Sequence, residues 1–445
     1  MTSTQQSNNR YDIIIIGGGI AGLYSAYNIQ KMSPQCKILV LESYKKKWLG
    51  GRINNEMFQG VQVVTGAGVG RKEKDYLLID LLKELKIPYS DCHVSHNYAQ
   101  TIQTPSATAY GVPSLTGAFG YGSLQHPMCN VKKTLLLLKS EYKKSVPTTT
   151  TIQKKTFKEF ATGILGVDAY KQFTICSGYT DYENEDVYDT LYNYGFEDNY
   201  GDWTSLRIQW KTLIDTITKK IGLHNIKTSN TVSKIDTISP YNFVIHTEQG
   251  PTYSCNKVII ATTIKSVLKI VPGASDKNSI YQQIHGQTFL RVYGKFSKAS
   301  ASIMKQLVTG QTIVPGPLKK IIPMDTEKGV YMIAYTDNED AISLKKYLEN
   351  TPENRNIFCE LLELSLGIPV GTLHLNAITD YYWPIGTHYY EPLRGPYKNR
   401  SEFIKTAQHP MQGMLVVGEM ISKNQGWTQG ALESVDAVVT KKWVS

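Results

Sequence analysis

Residues 12–29 read DIIIIGGGIAGLYSAYNI, and the fold is decided by how that stretch divides. The run DIIII over residues 12–16 is apolar after its first residue, as a strand covered on both faces must be. Gly17, Gly19 and Gly22 then satisfy G-x-G-x-x-G, and Ile20, Leu23, Tyr24 and Tyr27 follow at helical spacing. A helix that takes in Ile20 and Ala21 therefore begins inside the glycine run. The first glycine permits a tight turn, the second lets backbone approach a pyrophosphate, and the third allows close packing of helix on strand. The helix N-terminus supplies positive potential for the phosphates. A second apolar run, KILVLE, ends in Glu42, where a carboxylate takes the two hydroxyls of an adenosine ribose. A glycine motif alone is weak evidence. Strand, helix and spaced acid together predict a Rossmann-like dinucleotide-binding unit.

Two further segments narrow the dinucleotide. Gly50-Gly51-Arg52 follows Glu42 by eight residues, and residues 414–434 read MLVVGEMISKNQGWTQGALES: a buried strand, Gly418-Glu419, a short loop, then Gly-aromatic-x-x-Gly-Ala opening a helix at Trp427–Thr428. In that order, at opposite ends of the chain, they resemble the FAD segments of the flavin-containing amine oxidase family. The resemblance covers most of the length, in the middle by pattern more than by residue. It implies non-covalent FAD, since no cysteine stands beside His388 for a thioether link. It also implies that Gly50 and Gly51 pass under the ribityl–phosphate region, with Arg52 near the phosphates. Gly66, Ala67 and Gly68 of VQVVTGAGVG match the family's small-residue turn beside the flavin ring, and Val232 the position that lends backbone to the adenine. An NAD-only dehydrogenase leaves the C-terminal segment unexplained.

For chemistry, the resemblance places Trp427 where the family carries an aromatic cage residue; simple core packing is the alternative. The helix that opens there directs its N-terminus at the pyrimidine side of the flavin, where a positive end stabilises the anionic reduced ring. The stretch 379–395, TDYYWPIGTHYYEPLRG, resembles the family's second cage wall, with His388 at the cage position and Tyr390 the next inward residue. His388 there would cap the pocket, relay protons or bind a substrate acid, or would be an ordinary loop histidine. On TFLRVYGKF (residues 288–296) Arg291 stands where family members hold a water-binding lysine, with Lys295 on the same strand face as the fallback. Arginine stays charged and holds a planar fork of donors, so it does not simply replace lysine.

At 445 residues, with a net charge of +10, the chain has length for two to three folding units. Its lysine pairs are scattered without interleaved aromatics, which reads as a solvated surface and not a nucleic-acid groove. The first ten residues are polar and no apolar stretch reaches the roughly 20 residues of a membrane span. The chain stops soon after its last helix, without an apolar anchor, so a soluble intracellular, cytoplasmic protein is expected. Six cysteines without C-x-x-C spacing predict reduced thiols. One region reverses the positive balance. Residues 179–203 hold eight acids, six tyrosines and no Lys or Arg. Asp181, Glu185 and Asp189 share i, i+4, i+8 spacing, which on a helix presents one face. That face is either plain solvated surface or an entrance that draws in a cationic amine.

The expected fold combines α/β with α+β: a Rossmann-like FAD domain (residues 10–75, 222–288 and 406–445) interleaved with a mixed sheet-and-helix substrate domain (residues 76–221 and 289–405). A Gly/Pro/Ser-rich loop (104–127) and a Thr-rich connector (148–152) lie in the second. The expected activity is that of an FAD-dependent amine oxidase: hydride from the amine-bearing carbon to flavin, imine hydrolysis, and reoxidation by O2 to peroxide. Alternatives are a flavin desaturase or oxidase of a non-amine, and a flavin-bound scaffold without turnover, the latter prompted by Arg291.

Overall fold

The isoleucine run forms a central strand. In a computed structural model that describes residues 10–94, 96–103, 130–145, 154–196 and 203–445, Ile13–Ile16 lie in the strand Arg10–Ile16 and are at most 4% exposed. Ile13 and Ile15 enter one apolar cluster, Ile14 and Ile16 another, so both faces are covered and alternation disappears from the sequence. Parallel strands stand in the order Ile226–Lys227, Ile38–Leu41, Arg10–Ile16, Thr252–Ile260 and Met414–Val416. The hairpin Val232–Ser239 and Asn242–Thr247 adds to Thr252–Ile260 in the antiparallel sense. One face carries the helix Ile20–Met32 with Trp210–Ile221 and Thr428–Asp436. The other carries Ile264–Ile270 and Arg400–Ala407.

A second sheet is mixed, in the order Leu375–Tyr390, Ile284–Phe296, Val330–Asp337, Lys320–Asp325, Gln311–Ile313 and His96–Tyr98. Its longest pairing, Leu375–Tyr390 on Ile284–Phe296, slips register between Gln287 and Phe289. Helices Lys298–Leu307, Asn338–Leu344 and Pro352–Leu366 cover one side. An aromatic cluster of Phe157, Phe173, Tyr182 and Phe196 knits together the helices between residues 131 and 192. The helices Tyr76–Glu84 and Trp210–Ile221 belong, on the sequence division, to the second unit. They pack instead on the first sheet, through Leu78, Leu81 and Leu82 and through Trp210, Leu213 and Ile217.

Several sequence expectations change here. Cys176 is disulfide-bonded, so reduced thiols do not describe the whole set, while Cys36, Cys92, Cys255 and Cys359 are free. Asp181, Glu185 and Asp189 do not share one helix: only Asp189 lies in Val187–Tyr192, and Glu185 and Asp189 are buried. Glu197, Asp198, Asp202, the loop 104–127 and the connector 148–152 lie outside the described residues. Among the described residues no helix is long and apolar enough to cross a membrane.

Candidate active site

Between the two sheets lies a cavity of about 1120 Å³. That exceeds the roughly 300–1,000 Å³ typical of sites for one small ligand, so it has room for a dinucleotide and a substrate. Its first wall is the glycine turn. Gly17, Gly19, Ile20 and Ala21 line it, and Gly19 is the N-cap of the helix. Nothing lies within 4 Å of where a methyl on Gly19 would sit, nor on Gly418. Two stretches of bare backbone thus face open space, a cradle that fits a pyrophosphate. Gly22 packs behind this wall.

Glu42, 6% exposed, is fixed at the end of its strand by N–H donors from Gly18 (2.6 Å) and Tyr44 (2.8 Å). Oε1 also accepts from the Ser43 hydroxyl at 3.1 Å, while Oε2 keeps capacity for a further donor. Val232, Gly50, Gly51 and Arg52 continue the wall, and Gly66, Ala67 and Gly68 follow toward the second sheet. Gly418, Glu419, Trp427 and Thr428 close the cavity from the C-terminal side. Segments more than 400 residues apart therefore meet on one surface.

Arg52 does not stand free. Its Nη1 donates to Glu419 Oε1 at 2.7 Å and to the Gly386 carbonyl at 2.8 Å. Glu419 also accepts the Gly426 N–H at 2.7 Å and a hydrogen bond from His388 Nδ1. Burial by itself would raise the Glu419 carboxyl, but His388, Arg52 and Gly426 outweigh it and hold it at about 2. His388 is pushed below its ordinary value by burial. Its Nε2 accepts the Ile264 N–H at 3.2 Å, so the neutral ring carries its proton on Nδ1.

Both His388 nitrogens are thereby used by the protein, and the ring does not line the cavity. The expected cage or relay role gives way to that of a strut. Tyr390 likewise points away, its hydroxyl donating to the Ser422 carbonyl at 3.0 Å. The residues of this strand that reach the cavity are Trp383, Ile385 and Thr387, on the opposite face, together with Pro384 and Gly386.

The other end of the cavity is aromatic and basic. Trp427 Nε1 donates to Asp75 Oδ2 at 2.7 Å, and the Arg71 guanidinium lies 4.5 Å from the ring centre. Arg71 pairs with Asp75 Oδ1 at 2.9 Å, so two side chains, themselves paired, hold the indole in place. Arg291, on the strand Ile284–Phe296, reaches the cavity, whereas Lys295 is bonded at the surface to the Lys328 carbonyl. Of the two, Arg291 is the one that lines the cavity. Its guanidinium lies 4.0 Å from the centre of the Tyr335 ring. Lys320, missed in the sequence, also lines the cavity, with Nζ 3.3 Å from the Tyr179 ring centre. Burial lowers its pKa, against the pull of Asp181 and Asp337. Burial, then Asp337, raises Asp181, which lines the same end. Asp189 instead pairs with Arg400 at 2.7 Å, and Glu185 accepts from Thr190, so the entrance patch of three acids does not exist.

Residues 15–85 match the NAD(P)-binding Rossmann-like domain family. Over its full length the chain superposes on cyclohexylamine oxidase from Brevibacterium oxydans with a TM-score of 0.72 and 15% identity, covering 98% of each chain. The fold is that of the flavin amine oxidases. An engineered putrescine oxidase gives a TM-score of 0.68 at 12% identity, with 97% of this chain and 98% of that one covered. An uncharacterized protein of Acanthamoeba polyphaga mimivirus is 22% identical over 97% of this chain and 93% of its own length.

Proposed function

We propose that the protein is an FAD-dependent oxidoreductase that oxidises an amine-bearing carbon, with FAD held non-covalently. The observation that carries this reading is the meeting, on one cavity, of the Gly19 and Gly418 backbone cradle, Glu42 and the Trp427 wall. FAD, when bound, accepts a hydride from the substrate carbon and passes the electrons to O2, giving peroxide. The chain's own contribution is binding, orientation and control of water. Glu42 receives the ribose hydroxyls, and the helix beginning at Ile20 meets the pyrophosphate. The helix Thr428–Asp436 presents its N-terminal end to the cavity, where it favours negative charge on the ring. Trp427, locked by Asp75 and Arg71, forms a rigid wall against which a flat substrate slot is built. Water admitted to the slot hydrolyses the imine to carbonyl and ammonia.

Purified protein should be yellow, release FAD on denaturation and form peroxide with members of an amine panel. Colourless protein that takes up no FAD would end the proposal. Glu42→Ala should weaken FAD by about 1.5–3 kcal/mol, the size of lost hydrogen bonds to a charged group. Titration of apoprotein with FAD reads this directly, and unaltered affinity would remove Glu42 from the ribose. Trp427→Ala should lower turnover far more than flavin content, because the ring shapes the slot while backbone holds the cofactor. Flavin lost in parallel with activity would make Trp427 core packing.

A further inference from the structure

We propose that the substrate carries a carboxylate, received by Arg291 with Lys320 beside it, so that the favoured substrates are amino carboxylates. Among the described residues three arginines are buried: Arg71, Arg291 and Arg400. Arg71 pairs with Asp75 at 2.9 Å and Arg400 with Asp189 at 2.7 Å. Arg291, 6% exposed, has no carboxylate within ion-pair distance among the described residues. Its neighbours are the Tyr335 ring, the Met332 sulfur at 3.7 Å and the Tyr293 hydroxyl. None of these carries a negative charge at neutral pH.

The fork is aimed at the cavity wall. A methyl built on Gly68 would lie 3.5 Å from Nη2 and 3.7 Å from Nη1, so both terminal nitrogens face the turn Gly66–Gly68. A buried guanidinium without a counter-ion is costly unless something supplies the charge. Two coplanar N–H groups match the two oxygens of a carboxylate. Lys320 reinforces the sign: 1% exposed, it stacks on Tyr179 and makes no ion pair within 4 Å among the described residues. Asp181 is the acid at this end, and its raised pKa reflects burial and the nearby Asp337. Lys320 and Asp181 offset one another at this end, so the Arg291 guanidinium is the charge left without a carboxylate among the described residues, and the pocket receives an anion, the opposite of an entrance for a diamine.

Only the identity of the oxidised carbon rests on the oxidase reading; anion binding does not. The test is calorimetric titration of the holoprotein with benzoate, benzylamine and benzyl alcohol, followed in parallel by the visible spectrum. Wild type should bind benzoate at least about tenfold more tightly than benzylamine. Arg291→Met should lose about ten- to a hundredfold in benzoate affinity, the scale of lost charge-assisted bonds, while keeping its affinity for benzyl alcohol. Arg291→Lys should fall between. Preference for benzylamine in wild type, or equal benzoate binding by Arg291→Met, would overturn the proposal. The wild-type preference decides the matter even if the variant does not fold. Benzoate heats in a protein that binds no flavin would discard the oxidase reading and keep the anion site. Flavin bleached by benzylamine, with no benzoate binding, would do the reverse.

Discussion

Glu419→Ala is expected to lower the stability of the folded protein by about 3–5 kcal/mol, the cost of removing one partner from a buried ion pair. Glu419 is 6% exposed, and its two oxygens accept from Arg52, His388 and Gly426. Alanine leaves a buried imidazole N–H and a backbone N–H without their acceptor, takes the carboxylate from a half-buried guanidinium that keeps the Gly386 carbonyl, and opens a gap ahead of the helix Thr428–Asp436. Glu419→Gln is milder but not silent: one amide oxygen must serve where two carboxylate oxygens did, and the NH2 meets a donor. The wild-type pH profile carries the same interaction. The carboxyl is held at about 2 against an ordinary 4.5, so between these values the unfolded chain binds the proton more readily than the folded one. Its stabilisation is therefore complete above about pH 4.5 and fades as pH falls toward 2. At ~1.4 kcal/mol per pH unit the effect is about 3 kcal/mol. Guanidinium denaturation of both forms from pH 2 to 7 measures it. A loss under about 1 kcal/mol at pH 7, the scale of exposed pairs, would mean that water reaches Glu419.

What the sequence revealed and what it hid follow from the same geometry. Gly17, Gly19, Gly22 and Glu42 were legible because strand, turn and helix are contiguous and each residue's job is local. The walls from Gly50–Arg52 and Gly418–Thr428 were legible only by resemblance, since nothing in composition brings residue 50 beside residue 419. The strand Leu375–Tyr390 shows where such matching breaks down. Successive side chains there face opposite sides, and the register slips near Gln287, so a shift of one residue exchanged Thr387 for His388. Asp181, Glu185 and Asp189 looked like one solvated helical face because Arg400, the partner of Asp189, lies far away in sequence, and nothing local signals that Glu185 is buried. Lys320 gave no signal: beside Lys319 it reads as a surface pair, and only the strand Lys320–Asp325 turns it inward. The clamp of Asp75 and Arg71 on Trp427 left an i, i+4 trace in the sequence but no hint of its target.

The glycine run offers the sharpest separation of fold from cofactor. Gly22→Ala is expected to cost more than about 3 kcal/mol, beyond the usual range for an overpacked core position. Its methyl would lie 1.9 Å from the Gly17 carbonyl oxygen and 3.3 Å from Ala261 Cβ. Alanine gains about 1 kcal/mol over glycine inside a helix, which does not offset a backbone collision of that depth. Relief requires the helix Ile20–Met32 to move off the strand Arg10–Ile16, at the centre of the first sheet. Gly19→Ala should behave in the opposite way. Gly19 has φ −72° and ψ 176°, open to any residue, and its methyl would meet nothing within 4 Å. Apoprotein stability should therefore stay within about 0.5 kcal/mol of wild type, the range of substitutions that disturb no packing. FAD affinity should nonetheless fall about ten- to a hundredfold, because the methyl occupies the space that backbone leaves for the pyrophosphate, an intrusion of about 1–3 kcal/mol. Thermal denaturation of the apoproteins and FAD titration of Gly19→Ala give both readings. If Gly19→Ala binds FAD like wild type, the pyrophosphate does not rest on this turn. If instead it unfolds with Gly22→Ala, the bare backbone at Gly19 serves the fold and not a ligand.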